Sequence, residues 1–249
     1  MPEGDTVWRT AKSLRAVLSG RVLRRTDFRV PRFATTDLAG QEVDEVLSRG
    51  KHLLIRVGTS TIHTHLKMEG VWHVYRLGER WRRPGHQARL VLDTDAHTAV
   101  GFSLGVTEIL GRDREDDVVG HLGPDLLGAD WDAAVAAANL RAAGDQPIGL
   151  SLLDQRNLAG IGNIYRNEVC FLRGVDPFTP SAQVPDLRGL VTLAQRILFA
   201  DRDRPVRHRP WVYGRAGQRC RRCGAPLEAR DLGGRNVISC PRCQPAFRT

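Results

Sequence analysis

Lysine is almost absent from this 249-residue chain: Lys12, Lys51 and Lys67 are the three present, and arginine takes the other 34 of 37 basic positions. Arginine usage of this kind follows genomic base composition, so it carries no functional argument by itself. Long apolar runs are also missing. No stretch approaches 18 residues, which excludes a membrane-spanning helix. The opening segment MPEGDTVWRT lacks the positively charged start and apolar stretch of a secretory signal, so export is not expected. Cysteine is scarce, with five in all, and four of them fall into two C-x-x-C pairs. That pattern argues against a disulfide framework and for a metal site in a reducing compartment. No internal repeat and no low-complexity tract is present.

What is present describes a folded chain. Apolar content of 41% and charged content of 26% are ordinary for globular proteins, and the length suits one large domain or two smaller ones. The net charge of +9 is unevenly placed. Residues 202–249 hold twelve arginines against three acidic residues, so this last fifth carries a charge equal to that of the whole chain. A basic block of this kind predicts a polyanionic partner, most naturally nucleic acid.

The fold class expected is α+β with several domains. Val7, Ala11, Leu14 and Leu18 follow the i, i+4, i+7, i+11 spacing of an amphipathic helix over residues 3–18, with Gly20 closing it. From about 21 to 110, short β-branched segments such as HLLIRV, VWHVY and ARLVLD alternate with Gly, Pro and Asp, as in an antiparallel sandwich. Helical patterns follow at 131–143, 147–156, 160–171 and 185–200. The division this predicts is a sandwich domain at 1–112, a linker at 113–130, a helical domain at 131–210 and a metal module at 211–249.

Cys220-Arg-Arg-Cys223 and Cys240-Pro-Arg-Cys243 are sixteen residues apart. Two such knuckles supply four thiolates to one tetrahedral zinc, and with all four positions filled by protein the ion is structural. Gly224, Gly233 and Gly234 suit tight knuckles and a hairpin. Cys170 lies in an apolar helical stretch and reads as core. The eight histidines suggest no second metal site, and His63 and His65 read as structural.

Pro2 raises a different chemistry. Removal of Met1 exposes a secondary amine that titrates near 8, well below a lysine at about 10.4. A helix starting here would lower it further. Glu3 sets a carboxyl group beside it. An amine and an acid together suffice to open a sugar and form an iminium.

Four motifs in order, MPEGDT at the start, RGKHLL at 49–54, LLDQRNLAGIGNIYRNE at 152–168 and VYGRAGQRC at 212–220, resemble the formamidopyrimidine-DNA glycosylase/endonuclease VIII family. The resemblance implies a two-layer β-sandwich with flanking helices, then a helical domain with a helix–two-turn–helix motif and a β-hairpin zinc finger. It implies base-excision repair: hydrolysis of the N-glycosidic bond of a damaged base, then strand cleavage by β,δ-elimination. Pro2 matches the nucleophile at the sugar C1′ and Glu3 the acid/base. Lys51 matches the lysine near the lesion phosphate, Asn163 the phosphate-holding asparagine, and Arg235 the zinc-finger arginine on phosphate. Asp154 and Gln155 read as structural. The implied partner is damaged DNA, double-stranded with single strands left open, met by a monomer in the bacterial cytoplasm on the nucleoid.

Within the family, PEGDT and GFSLGVTEIL at 101–110 are similar to the endonuclease VIII side, which takes oxidised pyrimidines. The purine branch carries Arg-Phe-Gly where this chain has Gly101-Phe102-Ser103, and many members have a glutamate where Thr6 stands. The loop at 64–70 aligns with the family's intercalating loop, so Met68 is either a wedge that fills the place of a flipped nucleotide or a core residue at a strand edge. Three alternatives stay open. One is the same chemistry on oxidised purines. Another is a zinc-ribbon DNA-binding or damage-sensing protein without catalysis. The third is a lysine-based glycosylase, for which the chain offers three lysines.

Overall fold

The computed structural model describes residues 2–204 and 207–247. The chain divides into two compact units, residues 1–121 and 122–249.

The first unit opens with helix α1 (Gly4–Leu18). Eight strands follow: β1 (Arg25–Phe28), β2 (Val43–Arg49), β3 (His52–Val57), β4 (Ser60–His65), β5 (Val71–Arg76), β6 (Ala88–Asp93), β7 (His97–Phe102) and β8 (Val106–Gly111). They form two four-stranded antiparallel sheets, ordered β1-β6-β7-β5 and β2-β3-β4-β8. The expected apolar stripe of α1 is buried and shares one core with Val46, Leu53, Ile55, Ile62, Leu90, Leu92 and Ala99, drawn from both sheets. Strand alternation divides the β1-β6-β7-β5 sheet between two faces. Leu90, Leu92 and Ala99 enter this core, while Val91 and Val100 pack with Tyr75, Ala88 and Phe102 on the other side.

The short helix α2 (Asp116–Val119) follows β8. The segment leading to it is tied to the sheet. Glu115 accepts from Arg56 Nε and Nη2 at 2.9 and 2.6 Å and from the Thr61 hydroxyl at 2.5 Å. Those bonds hold the carboxyl group of Glu115 below its usual range.

The second unit holds α3 (Ala133–Ala142), α4 (Ile148–Ser151), α5 (Asn163–Arg173), α6 (Leu187–Asp201) and a hairpin of β9 (Glu228–Asp231) and β10 (Asn236–Ser239). Asp132 and Asp186 cap α3 and α6 by accepting from backbone N–H groups in the first turn. The helix expected at 147–156 is only the four residues of α4. Gln155 explains the early end. Its side-chain amide donates to Leu153 O and Ile161 O and accepts from Gly160 N, closing a compact turn where helix would have continued. Asp154 likewise accepts from Arg156 N, so both residues are structural, as read. Cys170 is buried among the helices, and burial pushes its thiol up to about 12, leaving it inert at neutral pH. Among the described residues no helix is long and apolar enough to cross a membrane.

Candidate active site and nucleic-acid interface

In the first unit, Gly20 N donates to Val43 O at 2.8 Å, and the Arg15 guanidinium donates to Val46 O at 2.9 and 2.7 Å. Helix α1 therefore runs antiparallel alongside β2. From Arg15 back to Glu3 the helix covers about 18 Å, or about five strand residues beyond Val46. The head of α1 therefore points along β2 toward the end that turns into β3. Glu3 has an extended backbone (φ −120°, ψ −176°) and its carbonyl accepts from Thr6 and Val7, starting the helix. Its side chain is fully buried and makes no capping bond, so the carboxyl group is not used to cap the helix.

Arg49 and His52 are the last pair of the β2–β3 ladder, so Gly50-Lys51 is a two-residue hairpin turn. Gly50 has φ +57°, as required at the first central position of such a turn. Lys51 is half-buried, and its charge reaches His65 at the end of β4. The loop after β4 closes on itself: Gly70 N donates to Leu66 O at 2.9 Å, and a Cβ on Gly70 would lie 2.4 Å from that oxygen. Met68 stands at the tip of this loop and is 65% exposed, so it is not a core residue. The following connection backs onto the same loop, since Gly105 N donates to His65 O at 3.0 Å. The 101–110 segment thus backs onto the loop that carries Met68.

In the second unit, Gly162 caps α5 and Asn163 is its first residue. Asn163 Nδ2 donates to Asn236 O at 3.4 Å, which places it against the residue after Arg235. Arg235 is exposed in the β9–β10 turn, where its carbonyl accepts from Leu232 N at 3.1 Å. The two residues matched to phosphate contact are therefore neighbours.

Three adjacent polar residues went unnoticed in the sequence. Arg166, Asn167 and Glu168 are all fully buried in α5. Arg166 donates to Asn163 Oδ1 and Asn236 O. Asn167 Nδ2 donates to Asn163 O at 2.6 Å, and its Oδ1 accepts from Ile238 N at 2.5 Å. Glu168 accepts from the backbone N–H groups of Trp211, Val212 and Tyr213 at 2.7–3.0 Å. One helix turn thus fixes both the β9–β10 hairpin and the segment leading into it. The available signal was a run of three polar residues inside an otherwise amphipathic helix.

His208 sits between two buried carboxylates, 2.5 Å from Asp201 Oδ2 and 3.7 Å from Glu168 Oε2. Glu168 and then Asp201 raise the pKa of His208 above its ordinary 6.5, although the Asp201 contact is the shorter. A raised histidine stabilises fully below its unfolded value and loses that contribution as pH rises through the folded one. Thermal stability should therefore decline above pH 6.5, and His208→Gln should flatten that alkaline decline. An identical alkaline limb in the variant would remove His208 from this role.

The four sulfur atoms of Cys220, Cys223, Cys240 and Cys243 lie within 4.8 Å of one another, with Cys220–Cys243 at 3.9 Å and Cys223–Cys240 at 3.4 Å. Tetrahedral ligands at a metal–sulfur bond of about 2.3 Å stand about 3.8 Å apart, so the donors fit one metal ion. Each knuckle turns a backbone N–H toward its first sulfur, Arg222 N to Cys220 and Cys243 N to Cys240, both at 3.4 Å. No other cluster of this kind occurs among the described residues.

Residues 1–104 match the formamidopyrimidine-DNA glycosylase N-terminal domain, and residues 122–198 match the H2TH domain of the same enzymes. The chain belongs to the formamidopyrimidine-DNA glycosylase/endonuclease VIII family. Among curated proteins it is 52% identical to endonuclease 8 2 of Mycobacterium tuberculosis, over 98% of this chain and all of that one. It is 50% identical to the DNA-(apurinic or apyrimidinic site) lyase Nei2 of Mycolicibacterium smegmatis, over 99% and 100%. The formamidopyrimidine-DNA glycosylase of Listeria innocua is 27% identical over 98% of this chain and all of its own length. The shared fold extends to Lactococcus lactis formamidopyrimidine-DNA glycosylase bound to abasic-site DNA, with a TM-score of 0.85 at 24% identity over 98% of this chain and all of the other.

Proposed function

We propose that this chain is a bifunctional DNA glycosylase and abasic-site lyase that removes oxidised pyrimidines during base-excision repair. The observation that carries the reading is that Pro2 and Glu3 stand at the head of α1, with Glu3 fully buried and its side chain making no capping bond. Once Met1 is removed, the Pro2 amine attacks C1′ of the damaged nucleotide. Glu3 serves as the acid/base that helps open the sugar, and the resulting Schiff base drives β,δ-elimination. Lys51, Asn163 and Arg235 hold backbone phosphates, and Met68 fills the space vacated by the flipped nucleotide. The pyrimidine assignment is supported by relatives named endonuclease 8 at about half identity, against 27% for a formamidopyrimidine-DNA glycosylase.

The ion held by the four cysteines is zinc. When bound it ties the two knuckles together, and Arg235 projects from the hairpin between them. In this reading residues 1–112 are the catalytic sandwich, 113–130 the connection, 131–210 the helix–two-turn–helix domain and 211–249 the zinc finger, working in the cytoplasm.

One lesion panel tests the reading. Dihydrouracil or thymine glycol duplexes should be cut faster than an 8-oxoguanine duplex, and the reverse order would move the chain to the purine branch. Absence of multiple-turnover nicking of abasic-site DNA would leave only a damage-binding protein. The same panel tests Met68. Taking a base out of a duplex costs a few kcal/mol, which single strands do not require. Met68→Ala should slow duplex excision roughly tenfold, that of single strands little, and leave stability near wild type. An unchanged duplex-to-single-strand ratio would reject the wedge.

A further inference from the structure

The sheet that carries Lys51 also carries a chain of polar side chains for which the proposed chemistry has no use. His52 follows Lys51 directly and begins β3. His63 lies on β4 and Glu108 on β8, and His63 and Glu108 face each other in the ladder. His52 Nδ1 is 2.8 Å from His63 Nε2, and His63 Nδ1 is 2.6 Å from Glu108 Oε1. The two rings stack at 5.0 Å with 18° between planes. His65 and His121 meet His52 edge-on at 5.1 and 6.3 Å.

Proton accounting gives this chain a direction. A carboxylate oxygen accepts, so His63 Nδ1 carries the hydrogen that faces Glu108. His63 Nε2 is then a bare acceptor and takes the N–H of His52 Nδ1. His52 Nε2 is left as an acceptor. Each ring is held in one tautomer and one orientation from Glu108 outward, and the far end of the chain is the residue next to Lys51.

Resting on the reading of Lys51 as a phosphate ligand, we propose that Glu108, His63 and His52 form a positioning relay that fixes the Gly50-Lys51 turn for its phosphate. The hydrogen bond ties His52, in the last pair of the β2–β3 ladder, to His63 of β4 and so restrains the turn at its base. Apolar side chains already fill the other face of these strands, so packing alone did not require imidazoles here. The two imidazoles of the relay also stay neutral, since burial holds His63 below its ordinary value despite Glu108. Burial, with His63, His65, His121 and Lys67 around it, pushes His52 down to about 3, and burial with Lys67 and Lys51 pushes His65 to about 4. Neutral rings add no positive charge of their own beside Arg49, Lys51 and Lys67.

The test is a double-mutant cycle on abasic-site nicking by the full-length, metal-loaded protein. Lys51→Ala should raise KM for DNA, and His52→Leu should raise it roughly tenfold with a smaller change in kcat. The double variant should be no worse than Lys51→Ala alone, because a relay with nothing to position has no further effect. His52→Asn keeps a donor near the Nδ1 position and should restore most of the loss, and thermal unfolding should confirm that all variants are folded. If wild type fails to nick abasic-site DNA, or Lys51→Ala leaves KM unchanged, the enzymatic reading of Lys51 falls and the relay with it. If Lys51→Ala raises KM while His52→Leu does nothing, multiplies independently with it, or is not rescued by His52→Asn, the relay alone is overturned.

Discussion

Protein that keeps Met1, or that carries an N-terminal tag, forms no borohydride-trapped adduct with abasic-site DNA. Nicking of that DNA falls on the order of 10³-fold or more, as when a covalent nucleophile is removed. The reason lies in one nitrogen. With Met1 attached, the Pro2 nitrogen is a tertiary amide with no basic lone pair. With Met1 removed, it is a secondary amine at the positive end of α1. Borohydride reduces an iminium to a stable amine, so peptide mapping of processed protein should place the adduct on residue 2. Equal trapping by tagged and processed protein would instead assign the nucleophile elsewhere, with the three lysines as candidates. Glu3→Gln divides the reaction at its first step. Glu3 is fully buried, and glutamine preserves its shape. Base excision should fall roughly 10²–10⁴-fold with the loss of a general acid/base. Elimination at preformed abasic sites should persist in part, because the glycosidic bond is already broken there.

Removing the metal has the next largest effect. Chelation should unfold the module at 211–247 and weaken DNA binding on the order of a hundredfold, through loss of several phosphate contacts. The module has only a small apolar core. Val212, Ala225, Leu227 and Ile238 pack with Phe171 of α5 and with two of the cysteines themselves. Without the ion, four thiols remain in that core with little to hold them together. The first unit should be untouched, since its core draws on no residue beyond 104 except Ile109 at its margin. Circular dichroism should therefore lose only part of its signal, and the salt dependence of binding should become shallower. Metal-free protein that binds DNA at full strength would remove the ion from the account of binding.

Local signals determined much of this protein. The stripe Val7–Ala11–Leu14–Leu18 specifies α1, because a 3.6-residue period has one burial solution. The paired knuckles specify the metal site, because thiolate spacing is set by a single ion. Alternating β-branched segments specify a sandwich, and the family motifs named Pro2, Glu3, Lys51, Asn163 and Arg235. Tertiary structure decided what those signals leave out, which is which segments meet. Nothing in the sequence says that α1 runs antiparallel against β2 with its head toward the β2–β3 end; the Arg15–Val46 and Gly20–Val43 hydrogen bonds do that. Gln155 ends the helix expected at 147–156 by bonds to residues as far as Ile161, where propensity has no voice. Met68 was open between core and wedge, and its exposure excludes the core. The contacts of Arg166–Glu168 and of His52, His63 and Glu108 were not legible for the same reason. A half-buried hydrogen bond between side chains 45 residues apart leaves no periodicity in the chain, and only folding brings its donor to its acceptor.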